Sequence, residues 1–155
     1  MNRFLTDDDY KSFITEYDLN AMLEEHEGEE ENPKEELLKC EKIAQDEIAS
    51  YLRNRYDIEQ VFAPAETGEE EEEADDMRSP VIVMYMIDIT LFHLATRLPG
   101  RMNLDQRQAR YELALEWLDR VNKGKVQPAL PLIDEETDPG NPVKWGSTQR
   151  QRSAW

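Results

Sequence analysis

Asp88 carries the most pointed chemistry in this chain. It is an ionisable carboxylate inside an apolar run, residues 81–98. A charge in such surroundings is costly unless a cation meets it. Arg53 and Arg55, which close an earlier predicted helix, are the candidate partners for a buried charge pair. The alternative is a position at a wet rim between two helix faces. The other chemistry-bearing residues form no working set. His26-Glu27-Gly28-Glu29-Glu30 opens like a zinc-protease helix, but the second histidine is missing. Asp134, Glu136 and Asp138 alternate like a calcium loop. The turn glycine, Gly140, comes one place late, and Trp145 stands where a bidentate glutamate is needed. His93 has no nucleophile beside it in sequence and reads as a structural histidine. The single thiol, Cys40, allows neither an internal disulfide nor a thiolate metal site. It reads as a small apolar filler from a reducing, intracellular setting. There is no Gly-rich phosphate cradle. The chain is therefore expected to be no enzyme, with no catalytic residue, metal or cofactor.

The elements around these residues are helical. Thr6 with Asp9 is a capping-box variant that starts a short helix, whose Tyr10, Phe13, Ile14 and Tyr17 share a face. Leu19, Met22 and Leu23 continue as a further short turn. Asn32-Pro33-Lys34-Glu35 starts a helix over about 33–55, with Leu37, Cys40, Ala44, Ile48 and Tyr51 as its apolar stripe. Ser79-Pro80 starts another over about 80–98. Its face Met84, Ile87, Leu91, Leu94 and Leu98 is opposed by a second apolar face, Ile82, Met86 and Ile89. A helix apolar all round must be covered on both sides. One side can pack on its own bundle, and the other, Ile82, Met86 and Ile89, is the candidate subunit interface. Asp88, Thr90 and His93, and the lack of aromatic belts, favour a buried helix over a membrane span. Pro99-Gly100 ends it, Asn103 and Gln106 restart the last helix, and Gly124 caps that helix. The prediction is an all-α bundle of about four helices. Residues 1–125 form the helical domain, with an acidic loop over about 57–78, and 126–155 an extended, proline-rich arm.

Charge is unevenly shared. Residues 1–76 hold 26 acids and 7 bases, whereas 139–155 hold three bases, Lys144, Arg150 and Arg152, and no acid. The front half repels nucleic acid and the tail attracts acidic surfaces. The run Glu69, Glu70, Glu71, Glu72, Glu73 is low-complexity and cannot fold alone. It reads as a solvated loop or as a negative surface that keeps DNA away. No signal peptide opens the chain: Asn2-Arg3-Phe4-Leu5 runs straight into Asp7-Asp8-Asp9.

Three stretches carry a family likeness: Glu47-Ile48-Ala49-Ser50-Tyr51-Leu52 with Arg55-Tyr56; Met86-Ile87-Asp88-Ile89; and Arg110-Tyr111, Ala114, Trp117-Leu118 and Lys123-Gly124. With Phe4-Leu5-Thr6 at the front, the chain over about 4–126 resembles the small helical head–tail connector proteins of long-tailed bacteriophages, in the Mu-like transposable branch. The resemblance implies an all-α subunit of a virion neck ring, usually a dodecamer, beneath the portal protein. Such a ring extends the channel through which genomic DNA passes without specific binding. It also docks the next neck, stopper or tail-terminator protein, and it involves no membrane. In that setting Glu69–Glu73 are the channel-facing candidates, and Lys144, Trp145, Arg150, Arg152 and Trp155 form a portal-docking arm. The competing reading is an acidic DNA mimic that inhibits a host nuclease or restriction enzyme.

Overall fold

The computed structural model describes residues 3–24, 33–64, 76–97 and 103–134. They form six helices and no named strand: α1 (Asp7–Tyr10), α2 (Glu16–Glu24), α3 (Pro33–Leu52), α4 (Ile58–Val61), α5 (Pro80–Thr96) and α6 (Leu104–Asn122). The protein is all-α, as its helical periodicity predicts. The three long helices pack on one another with α5 in the middle, and α1 and α2 lie against α5 and α3. No helix among the described residues is long and apolar enough to cross a membrane.

Local chemistry explains most of the boundaries. Thr6 caps α1 with a full capping box: its hydroxyl accepts from the Asp9 N–H while the Asp9 carboxylate accepts from the Thr6 N–H at 2.7 Å. α1 stops at Tyr10, and the turn that follows shifts the helical phase. Tyr10 and Ile14 are buried as expected, but Tyr17 is 80 % exposed on α2. α6 ends in a Schellman motif. Gly124 takes the left-handed conformation, φ +70°, its N–H donates to the Val121 carbonyl, and the Lys125 N–H donates to Arg120 at 2.9 Å.

The interface expected at Ile82, Met86 and Ile89 is overturned. All three are buried inside the subunit's own core, at 0 %, 2 % and 0 % exposure. The cover comes from segments that looked too polar or too short to supply it. Phe4 and Leu5, beside the Asp7–Asp9 cluster, enter the core. So do Val61 and Phe62, from a stretch expected to be loop, where Asp57 caps the short α4. Phe4 meets Phe62 edge to face at 5.2 Å. Leu130, from the expected arm, is buried too. Its strand-like neighbours pair with the chain after α3: Asp57 N–H donates to Pro131 at 2.9 Å, and Ile133 N–H to Arg55 at 3.1 Å. The arm therefore begins by folding back on the body. Burying a large apolar side chain is worth about 1.5–3 kcal/mol, so α5, with seven apolar residues among its nine buried ones, is the fold's main hydrophobic anchor.

Candidate functional site

Asp88 is buried, at 4 % exposure, and its partner is Arg110 of α6. Arg110 Nε donates to Oδ1 at 2.6 Å, and a terminal nitrogen donates to Oδ2 at 3.3 Å. This two-pronged arrangement is the strong form of the pair. The expected partners are corrected. Arg53 and Arg55 lie exposed just past the end of α3, and Arg53 Nε points at the Ala49 carbonyl instead. The α5–α6 hairpin decides this, because antiparallel helices bring together residues equally distant from their turn. Asp88 and Arg110 stand about equally far from Pro99-Gly100, a signal the sequence did contain. The Arg110 guanidinium also lies over the Phe13 ring, 5.7 Å from its centroid. One turn earlier, burial and then the Arg110 charge lower the pKa of Arg107.

Beside this pair the α5–α6 surface is apolar and open. Tyr85 and Trp117 pack with ring centroids 5.0 Å apart. Leu113 is 61 % exposed next to them, and Val81 is also exposed. Tyr85, Leu113 and Trp117, with Met84, Asp88, Arg110, Glu116 and Arg120, line a shallow concavity of about 300 Å3. Burial, and then the Asp88 charge, raise the Tyr85 phenol above its ordinary value. Tyr, Trp and Arg at one spot are the residue types that anchor protein interfaces. Trp117 is only partly buried against the core, and the spacing Arg110, Leu113, Trp117, Arg120 shows one α6 face that is only half covered.

Three further polar clusters hold the body together. Glu47 of α3 accepts from the Tyr111 hydroxyl at 2.6 Å and meets His93 Nε2 at 3.0 Å, and Tyr111 stacks on Phe92 at 4.1 Å. His93 is thus a cross-link among the three long helices. Arg3 bridges to the buried Glu41, which also accepts from Tyr10 Oη at 2.7 Å. Burial first, then Glu41, pushes the Tyr10 phenol well up. Arg78 grips Asp9 through two bonds, 2.7 and 3.0 Å, and donates to the Phe4 carbonyl at 2.6 Å. Cys40 is fully buried, and burial pushes its thiol up to about 11. Among the described residues no group of three or more His, Cys, Asp or Glu could hold a metal ion. Glu69–Glu73, Lys144, Trp145, Arg150, Arg152 and Trp155 lie outside the described residues.

This helical body, with its interface-like face, matches the family model "Bacteriophage Mu, Gp36" over residues 4–145. The chain belongs to the bacteriophage Mu Gp36 family. No curated protein and no solved structure gives a match. It is thus a Mu-like phage protein, and a structural or morphogenesis role is the coarse class that goes with the family. The Gp36-family match extends well past Asn122, the end of α6, and takes in the segment that folds back through Leu130.

Proposed function

We propose that this Gp36-family chain is a structural virion protein, the subunit of a head–tail connector ring. The ring binds the portal protein, continues the DNA channel, and offers a docking face to the next neck or tail protein. No chemistry is asked of it. The observation that carries the reading is the half-covered Tyr85–Leu113–Trp117 face of α5 and α6 on a phage protein. In a ring that face meets a second copy, replacing the subunit contact expected at Ile82, Met86 and Ile89. Arg110 and Arg120 flank it, and the buried Asp88 holds Arg110 in place.

The charge balance supports the same role. A net charge of −17 repels the phosphate backbone, so DNA slides past rather than sticks. The run Glu69–Glu73 is placed at the channel in this reading, and the basic end of the arm, Arg150, Arg152 and Trp155, reaches the portal. Light scattering on the pure protein and on its mixture with portal-bearing capsids tests it. The expected result is a ring-sized mass, a dodecamer, in at least the mixture, and loss of assembly in Leu113→Glu with helix content unchanged. A monomer in both conditions refutes the reading.

A further inference from the structure

The Tyr85–Leu113–Trp117 face has a counterpart on the same subunit. Helices α1, α2 and the start of α3 enclose a groove of about 490 Å3, with Tyr10, Ile14, Leu19, Leu23 and Leu37 as its apolar lining. It shares no lining residue with the α5–α6 concavity. Its rim is acidic. Glu16 opens α2 and Glu24 closes it. Both are exposed, and among the described residues neither forms an ion pair. The two rim lysines, Lys11 and Lys34, are already held by Asp8 and Asp7.

The two faces carry opposite charge patterns. On α6 the stripe Arg107, Arg110, Leu113, Trp117, Arg120 is apolar in the middle and basic at both ends. Asp88 neutralises Arg110, but among the described residues Arg107 and Arg120 form no ion pair. On α2, Leu19 and Leu23 lie between the two glutamates. Arg107 and Arg120 stand about 20 Å apart along their helix, Glu16 and Glu24 about 12 Å along theirs. Long arginine stems turning inward span the difference. Relief matches as well. Leu113, 61 % exposed, stands up at the edge of the α5–α6 concavity. Tyr17, 80 % exposed, stands up at the groove rim, one turn from Asn20. Each face thus offers a projecting apolar side chain beside a hollow. Two α6 faces packed on each other about a two-fold axis between Leu113 and Trp117 would instead set Arg120 of each copy against Arg110 of the other, like charge on like.

We propose that the groove of one copy takes the Leu113–Trp117 ridge of the next copy, with Arg107 and Arg120 against Glu16 and Glu24. This rests on the ring reading and adds the second surface of its subunit contact. The contact joins two different surfaces, so every copy uses both, and copies follow head to tail until the series closes. Apolar burial supplies most of the attraction, while the charges fix partner and register. Tyr17 of one copy then falls against the Tyr85–Trp117 hollow of the other.

Cross-linking between two singly marked full-length copies tests this. One carries Asn20→Cys at the groove, the other Glu116→Cys beside Trp117; both positions are exposed, and the buried Cys40 stays inert. They are mixed at the concentration, or on the portal-bearing capsids, at which the wild type assembles. A short bismaleimide is added and the products are read by mass spectrometry. The expected product joins unlike copies and forms at least about tenfold faster than either like pair. Leu113→Glu in the second copy should erase that advantage. Glu16→Arg with Glu24→Arg in the first should cut it several-fold. Circular dichroism confirms the helices of each variant. Like pairs that form as fast as the unlike one, or an unlike product indifferent to Leu113→Glu or to the charge reversal, overturn the inference. Wild-type assembly with no unlike product overturns it and leaves the ring reading standing; a wild type that never assembles removes both.

Discussion

Breaking the Asp88–Arg110 pair from its two ends should cost unequal amounts. The Asp88 side chain is 4 % exposed, the Arg110 side chain 39 %. Removing Arg110 leaves a largely buried carboxylate with no cation beside it, and stranding such a charge costs about 3–5 kcal/mol. Removing Asp88 leaves a guanidinium that can swing outward from the α5–α6 surface and rehydrate. What is lost then is the net worth of a charged hydrogen-bonded contact, about 1.5–3 kcal/mol. Arg110→Ala should therefore destabilise more than Asp88→Ala, by about 1–2 kcal/mol. The double variant should cost less than the sum of the two, because neither charge is then stranded. Urea unfolding of the four proteins, with unchanged denaturant slopes, measures all three quantities. For a chain of this size the Arg110→Ala loss corresponds to a melting-point drop of roughly 6–20 °C. Equal costs from the two ends, or losses under about 1 kcal/mol from both, would refute the burial argument and place the pair in solvent.

Three further outcomes follow from the same geometry. The Arg78 contacts, with a Thr6 bond, outweigh burial and hold the Asp9 carboxyl below its usual range, and Arg78 directly lowers Asp76. A carboxyl depressed in the folded state adds stability above its unfolded pKa and loses it as pH falls through the folded one. Stability should therefore fall below about pH 4, less steeply in Arg78→Ala, as read by denaturation across pH. Cys40 should not react with a thiol reagent at neutral pH until urea unfolds the chain; prompt labelling of the native protein would contradict the packing of α3. Gly124→Ala should cost about 1 kcal/mol in thermal unfolding, from φ +70° and not from crowding, since the nearest atom to an added Cβ is Arg55 Nη1 at 3.9 Å.

Much of this fold was legible because its signals are local. Ser79-Pro80, the Thr6–Asp9 box and Gly124 each act within one turn of helix, and each holds in the structure. The errors arose where the deciding contact joins distant residues. An all-round apolar α5 was correctly taken to need cover on both sides, but periodicity within one helix cannot say which segment provides it. Phe4, Leu5 and Leu130 supply part of it from flanks that look polar or proline-rich. The Asp88 partner failed similarly, since the end of α3 offers two arginines and only the hairpin geometry selects Arg110. The Tyr85–Trp117 face was hidden by the same limit, because Trp117 is spaced like a core residue and only α5's position shows its edge left bare.

The grip of Arg78 on Phe4 and Asp9 also sets a schedule for synthesis. Arg78 follows Phe4 by 74 residues, and the helix that receives α1 follows Arg78. Before then the first dozen residues can dock only on α3, where Glu41 receives Arg3 and Tyr10. At about 5–20 residues per second, Phe4 and Leu5 wait roughly 4–15 s before Arg78 is even added. The three aspartates beside them, and the acids that follow through residue 76, keep that waiting segment hydrated and self-repelling. The acidic front half thus shields the nascent chain until α5, α6 and the Leu130 segment, all made later, complete the core.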